Sequence, residues 1–424
     1  MKTPAIGRNG AIALITLAVF SGTAARYALS PMQELAKADL GLGDHQVALL
    51  QGMAIALPTA LMSIPVGRLV DRGNRARLML VLALLCTVGS LLTALAPGFG
   101  AAFASRMLLL AGVVAAQPAT LSLVSDLTEP AERGRFITLT SLGQAAGATA
   151  AYMLAGVLLA WLPGAVAGTA LAGLSPWRLV QLAWTLVMGV TALALLALRE
   201  PARSEVGSAA THASLMDTLR ALWAYRRLLL PLCGGMVSIG MADAAAGIWA
   251  VPILTRSFHL TPADFGPWLG MLNLVSSVIG AVLGGLAADL GQRGRGQAGA
   301  LLGAVLGAFV SVPAALFPVM PTVEWFAVLL FVLLAAGACV NIAATSAVMV
   351  LLPNALRGMC MGVLVAVIAL VAFGIAPLLV SLGAHGDDLS LPLATVGVLT
   401  SLAAGAAFVR AMRVARSLAP GESI

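Results

Sequence analysis

The sequence predicts an all-α integral membrane protein, with twelve transmembrane helices arranged as two pseudo-symmetric six-helix bundles. Three observations predict it. Hydrophobic residues make up 60% of the 424-residue chain, charged residues 10%, and mean hydropathy is +1.00, whereas a soluble domain carries roughly 25% charged residues. Twelve apolar runs can be marked off, each near the roughly 20 residues that cross a bilayer as a helix. Finally, the chain repeats itself. Gly67-Arg68-Leu69-Val70-Asp71-Arg72-Gly73-Asn74-Arg75 ends one run, and Gly285-Leu286-Ala287-Ala288-Asp289-Leu290-Gly291 ends another 218 residues later. Without a gap, that offset also superposes Gly52-Met53 on Gly270-Met271 and Gln46 on Asp264.

The first run, 11–33, follows Lys2 and Arg8 and contains Ser21-Gly22-Thr23-Ala24-Ala25, a pattern shared with signal peptides. A retained helix is preferred, because cleavage would delete the counterpart of 228–255. The runs 46–68, 77–97, 101–126, 136–162 and 177–198 complete the first half, with an uncharged Gly- and Ala-rich loop from Pro163 to Pro176. A polar linker, 199–216, follows. Ser214 and Asp217 can form a capping box of the acidic kind, and Leu215, Leu219 and Leu222 share one face. These features fit a short helix lying at the membrane interface or the start of the seventh span. The runs 228–255, 265–287, 298–318, 323–351, 359–383 and 390–411 form the second half. The expected organisation is therefore 1–198, a linker with its short helix at 199–227, and 228–424. Transmembrane strands would show alternating ten-residue segments, which are not seen, and the 45 glycines suit close helix packing in lipid.

Charge fixes the expected orientation. With the N-terminus inside, most of the 24 basic residues fall on the cytoplasmic side, among them Arg68, Arg72, Arg75, Arg133, Arg135, Arg199, Arg226, Arg293, Arg357, Arg410 and Arg416. Lys37, Arg178 and Arg256 lie near the outer face, and Arg26 and Arg106 within helices. This is the positive-inside pattern, so both termini and the linker are expected in the cytoplasm of a bacterial inner membrane. The sequence pI of 9.9 thus reports orientation, since the arginines are spread over short segments without the aromatic-studded surface of a nucleic-acid binder. Cys86, Cys233, Cys339 and Cys360 lie in apolar runs without metal-ligand spacing. His45, His212, His259 and His385 lie in loops or at helix ends. No metal or cofactor is expected.

The stretch 67–75, a Gly, three residues, Asp-Arg and a further basic residue, resembles the cytoplasmic motif after the second helix of major facilitator superfamily transporters. Asn74 and Ala76 depart from it, standing where the motif has its second Gly and a basic residue. Pro130-Ala131-Glu132-Arg133-Gly134-Arg135 resembles the Pro-x-x-Arg-Gly-Arg turn of the same superfamily, echoed at Pro353-Asn354-Ala355-Leu356-Arg357-Gly358. With Arg26-Tyr27-Ala28-Leu29-Ser30, Asp39 to Asp44, Gln51-Gly52, Pro118 and Asp126, the first 140 residues are similar to the Spinster-like branch. The resemblance implies a secondary transporter working by alternating access, with substrate between the two halves. In that branch an Asp precedes the helix-one Arg, and a Glu stands five residues before the Pro matched by Pro118. Here these are Ala25 and Val113, so the branch's usual proton-coupling carboxylates are missing. The resemblance also gives a conformational switch set: Gly67, Asp71, Arg72, Arg75, Asp126, Arg133, Asp289 and Arg357.

The repeat offset places Ala25 on Asp243, at mid-membrane in the seventh run, and Arg26 lies at similar depth in the first. An ionised group there costs several kcal/mol unless paired or hydrated, and is functional by default. The two are expected to bind substrate and proton; the alternative is a fixed Arg26–Asp243 pair that locks the bundle. Arg106 matches the superfamily's helix-four Arg, although so close to the helix end it could also snorkel to the interface. Gln51, Gln117, Gln144, Asn273 and Asn341 are candidate polar lining, and Trp249 and Trp268 candidate apolar walls. A buried amide bonded to a neighbouring helix explains each of these polar residues as well.

The expected function is secondary transport of a small organic molecule, amphipathic or lipid-like and anionic to suit Arg26, with proton coupling. The open alternatives are an uncoupled facilitator, a hydrophobic-drug exporter and a channel. A membrane enzyme is disfavoured, since no phosphate loop, nucleophile motif or clustered His, Asp and Glu occurs. Expected partners are the substrate, membrane lipid and a proton, for a monomer.

Overall fold

The computed structural model describes residues 7–129, 131–202, 215–384 and 386–417, without the side chains of 63, 64, 67, 68, 71, 72, 215–219 and 295. Most of the expected linker, including Ser208, His212 and Ser214, and also His385, lies outside the described residues. In chain order the helices are α1 (Arg8–Tyr27), α2 (Gln33–Leu40), α3 (Asp44–Ala48), α4 (Ala54–Arg72), α5 (Arg75–Ala94), α6 (Phe99–Leu127), α7 (Arg133–Met153), α8 (Ala155–Ala165), α9 (Pro176–Leu195), α10 (Leu215–Ala224), α11 (Arg226–Arg256), α12 (Pro262–Arg295), α13 (Leu302–Ala314), α14 (Val323–Leu351), α15 (Asn354–Ile368), α16 (Ala376–Leu382) and α17 (Ser390–Ser417). Among the described residues, eleven helical stretches are long and apolar enough to span a bilayer, and twelve if α7 and α8, bent by 59°, count as one. The fold is all-α and multi-pass, as the composition predicts.

Two spans are continuous only through π turns, Leu49–Met53 between α3 and α4 and Ala369–Ile375 between α15 and α16. A π turn fits an extra residue into the helix and is often found at functional sites. The linker's short helix forms as a separate element, α10, and Tyr225 (φ −87, ψ 11) divides it from α11.

The chain gathers into two compact units, Met1–Gly207 with His259–Met271, and Ser208–Phe258 with Leu272–Ile424. In the first, Ile15, Met79, Leu82, Leu123 and Val124 form a buried cluster. In the second, Met236, Ile239, Val340, Ala343, Ala347 and Phe408 do so. Small residues let backbones approach where no hydrophobic drive distinguishes neighbouring helix from lipid. The start of α12 joins the first unit in this way. A Cβ at Gly156 would lie 2.3 Å from Ala263 Cα, and one at Gly266 would lie 2.4 Å from Tyr152 O. The Thr149 hydroxyl donates to Gly270 O at 3.4 Å. The bend between α7 and α8 falls beside Gly156. Gly266→Val is expected to lower stability by about 1–3 kcal/mol, the usual cost of overpacking, read as a fall in melting temperature of the detergent-purified protein. A wild-type melting curve would show that α12 is not held there.

Candidate functional site

In the first unit the site is built on the interruption at Leu49–Met53. Changing the hydrogen-bond register leaves backbone acceptors open for a side chain, and Arg106 of α6 takes one, donating from Nε to Leu50 O at 3.2 Å. Its Nη2 donates to Gln51 Oε1 at 3.0 Å and to Arg26 O at 3.3 Å. Gln51 in turn donates from Nε2 to Gln33 Oε1 at 2.9 Å. The Arg106 residue is 2% exposed, so it does not snorkel. Its Nη1 is buried with no hydrogen-bond partner among the described residues. Arg26 lies close enough for the two like charges to repel, its guanidinium 4.9 Å from the Tyr27 ring centroid. Neither arginine makes a salt bridge among the described residues. Uncompensated positive charge at this depth is costly, and it favours an anion.

Gln117 and Gln144 meet across α6 and α7 at 3.4 Å. They line a small cavity in the first unit together with Val113, the position where the Spinster-like pattern expects Glu. Trp268 of α12 is half-buried in the same unit.

In the second unit Asp243 is set into α11 against α14. Its carboxylate lies over Gly337, where a Cβ would be 2.1 Å from Oδ2. Oδ1 is shut off from solvent and meets no donor among the described residues. Asn341, one turn on, donates from Nδ2 to Gly337 O at 3.2 Å, so its amide serves its own helix. Asn273 O accepts from the Ser276 and Ser277 hydroxyls. Trp249 is fully buried and donates to Pro377 O at 3.0 Å, which makes it a packing residue between α11 and α16. Arg26 and Asp243 thus belong to different units, each with its own surroundings.

A separate charge network lies at the end of the first unit where α4 meets α5. Arg75 is 3% exposed. It is paired with Asp126, donates from Nη1 to the Ser122 hydroxyl at 2.9 Å, and from Nε to Glu200 Oε1 at 2.7 Å. Arg133 Nε donates to Ser125 O at 3.2 Å and Arg357 Nε to Leu352 O at 2.9 Å. These two arginines, each in the first turn of the helix that follows, therefore cap the preceding helices α6 and α14 alike, by donating to carbonyls at their C-terminal ends. Asp289 is exposed. The backbones of Gly67, Asp71 and Arg72 complete α4, and their side chains lie outside the described residues.

The family model of the Major Facilitator Superfamily matches residues 15–377. The chain belongs to the major facilitator superfamily. Its fold is that of solved transporters. A bacterial homologue of the human lysosomal transporter Spinster, inward-facing and unoccupied, aligns at TM-score 0.84 and 18% identity, over 98% of this chain and 99% of that one. A mutant of the nucleoside transporter NupG aligns at 0.74 and 11%, over 95% and 99%. A D-xylose-proton symporter aligns at 0.65 and 19%, over 92% and 95%. A search of curated proteins finds no match.

The two departures from the superfamily pattern have physical roles. Asn74 is the N-cap of α5, its Oδ1 accepting from Arg77 N at 2.7 Å. The Ala76 amide donates to Glu200 Oε2 at 2.8 Å, so a backbone group supplies a contact where the motif has a basic side chain. Glu200 is the network member that the sequence reading passed over. It sits just after the last apolar run of the first half, where a carboxylate reads as linker. Its available signal was the adjacent Arg199 and Pro201, marking a helix end opposite a basic motif.

Proposed function

We propose that the chain is a secondary transporter that carries an organic anion, amphipathic or lipid-like, across the bacterial inner membrane by alternating access between halves 1–198 and 228–424. Both termini and the 199–227 linker are then cytoplasmic, and Asp243 carries the coupling proton. The observation that carries the anion is the Arg26–Arg106 pair, two guanidiniums that among the described residues have no carboxylate partner and one buried N–H left open. Gln51 and Gln33 hold Arg106 so that its charge is positioned before substrate arrives. The Spinster homologue's similarity in fold supports a transporter of this type.

The test is a thermal-shift comparison of the purified protein with lysophosphatidic acid, lysophosphatidylcholine and a cationic hydrophobic dye. A ligand of the native state raises the melting temperature by mass action. Lysophosphatidic acid is expected to stabilise most, and Arg26→Gln to weaken its binding about tenfold, the loss of roughly 1.4 kcal/mol. Arg26 is the variant of choice because its guanidinium, among the described residues, holds no neighbouring backbone. Equal stabilisation by the dye, kept in Arg26→Gln, would replace the anion reading with a hydrophobic-drug exporter.

A further inference from the structure

The second unit holds a cavity of about 540 Å³ that shares no residue with the charged sites above. That volume falls within the roughly 300–1,000 Å³ of ordinary ligand pockets. It lies between α10, α11 and α15, beside the corner where Tyr225 separates α10 from α11. Trp223 and Arg226 flank that corner, and Arg226 Nη1 donates to Trp223 O at 3.2 Å.

From Arg226 to Ser238, its limits on α11, the wall runs about 18 Å at the helical rise per residue. That is slightly more than half of a hydrocarbon core of about 30 Å. The depth is one leaflet. Aliphatic side chains make most of the wall, and its polar side-chain groups are Arg226, the Trp223 indole N–H, the Ser238 hydroxyl and the thiols of Cys233 and Cys360. A water-soluble ligand would find few partners there. The rim is apolar too: Trp223 is 61% and Leu230 59% exposed, surfaces suited to hydrocarbon. At the corner, Arg226 and Arg227 are exposed and make no salt bridge among the described residues. Positive charge at one end of a leaflet-deep apolar slot matches one chemistry, a fatty chain under an anionic headgroup.

We propose that an anionic phospholipid of the bilayer inserts one acyl chain between α10, α11 and α15 and sets its headgroup against Arg226. This lipid is a resident and not the cargo. It fastens the linker helix α10 to the second unit, because its chain is gripped by both. Basic residues beside a membrane surface recognise such headgroups. The inference stands apart from the transport reading, since it concerns neither Arg26 nor Asp243.

Cys233 and Cys360 touch each other in the cavity wall and report occupancy. The experiment uses the full chain with Cys86 and Cys339 replaced by Ala, in nanodiscs of phosphatidylcholine alone or with one quarter phosphatidylglycerol. Maleimide labelling of the remaining thiols is followed by intact mass, and bound lipid by native mass spectrometry. Labelling is expected to be several-fold slower with phosphatidylglycerol, and Arg226→Gln to restore the phosphatidylcholine rate. Val237→Trp, which fills the slot, should shed the lipid whichever headgroup is present; if that variant fails to fold, exposed Arg226 still carries the test. Equal labelling in the two lipids overturns the proposal, as does phosphatidylglycerol retention unchanged in Arg226→Gln. Neither result bears on transport.

Discussion

Arg75→Met is expected to lower the melting temperature more than any other single substitution in the first unit. Arg75 is buried between Asp126 and Glu200, and without it the two carboxylates lose the cation that bridges them. Removing one partner of a buried ion pair typically costs about 3–5 kcal/mol by leaving a charge uncompensated, while removing all the charges together avoids that penalty. Asp126→Asn should therefore be milder, because the amide oxygen still accepts from the guanidinium. The triple change Arg75→Met, Asp126→Asn and Glu200→Gln should recover much of the loss. Melting curves of the three proteins in one detergent decide it. If Arg75→Met melts with the wild type, the network does not fasten α5 to α6 and the linker.

Asp243→Asn is expected to abolish accumulation driven by a pH gradient in proteoliposomes and to spare exchange of an anion that stabilises the protein. The substitution is isosteric, and Oδ1 has no donor to lose, so folding should survive. What is lost is a protonatable group in a span where each coupled charge can draw on about 2.3 kcal/mol per 100 mV. Gly337→Ala is the second variant. Its Cβ would fall 2.1 Å from Oδ2, displacing the carboxylate, so coupling should drop although Gly337 carries no charge. A wild type that ignores the imposed gradient, with Asp243→Asn transporting normally, would make the protein a facilitator and Asp243 a structural residue.

The fold was legible because a bilayer demands helices of a certain length and places charge on one side, and both demands leave marks in a single sequence. The break after Met153 was not, because the contact beside it, Gly156 against Ala263, is made with a residue far away in the chain. The same limit governed the site. Arg106 could be flagged as a charge near a helix end, but whether it reached water or turned inward depended on carbonyls opened by the turn at Leu49–Met53. Composition does not announce such a turn. Trp249 was legible only as a large apolar residue, since its place against Pro377 is set by another helix. Asp243 was visible for a simpler reason: an acid in the middle of a long apolar run stands out wherever it packs.

The turn at Leu49–Met53 also changes what the duplication means. Its counterparts by the repeat offset, Pro267 to Met271, lie within the single helix α12, where a proline interrupts the ladder in its place. The extra residue of a π turn advances a helix by about 100°. Residues after Met53 are therefore rotated, relative to those before Leu49, by an angle that their twins after Met271 do not share. Ala25 and Asp243 precede the turn and its counterpart, so their equivalence is untouched. Beyond it, two residues can share a place in the alignment and still face different neighbours. Transplanting side chains between the halves by sequence position would succeed in α1 and α11 and put the wrong face inward along α4.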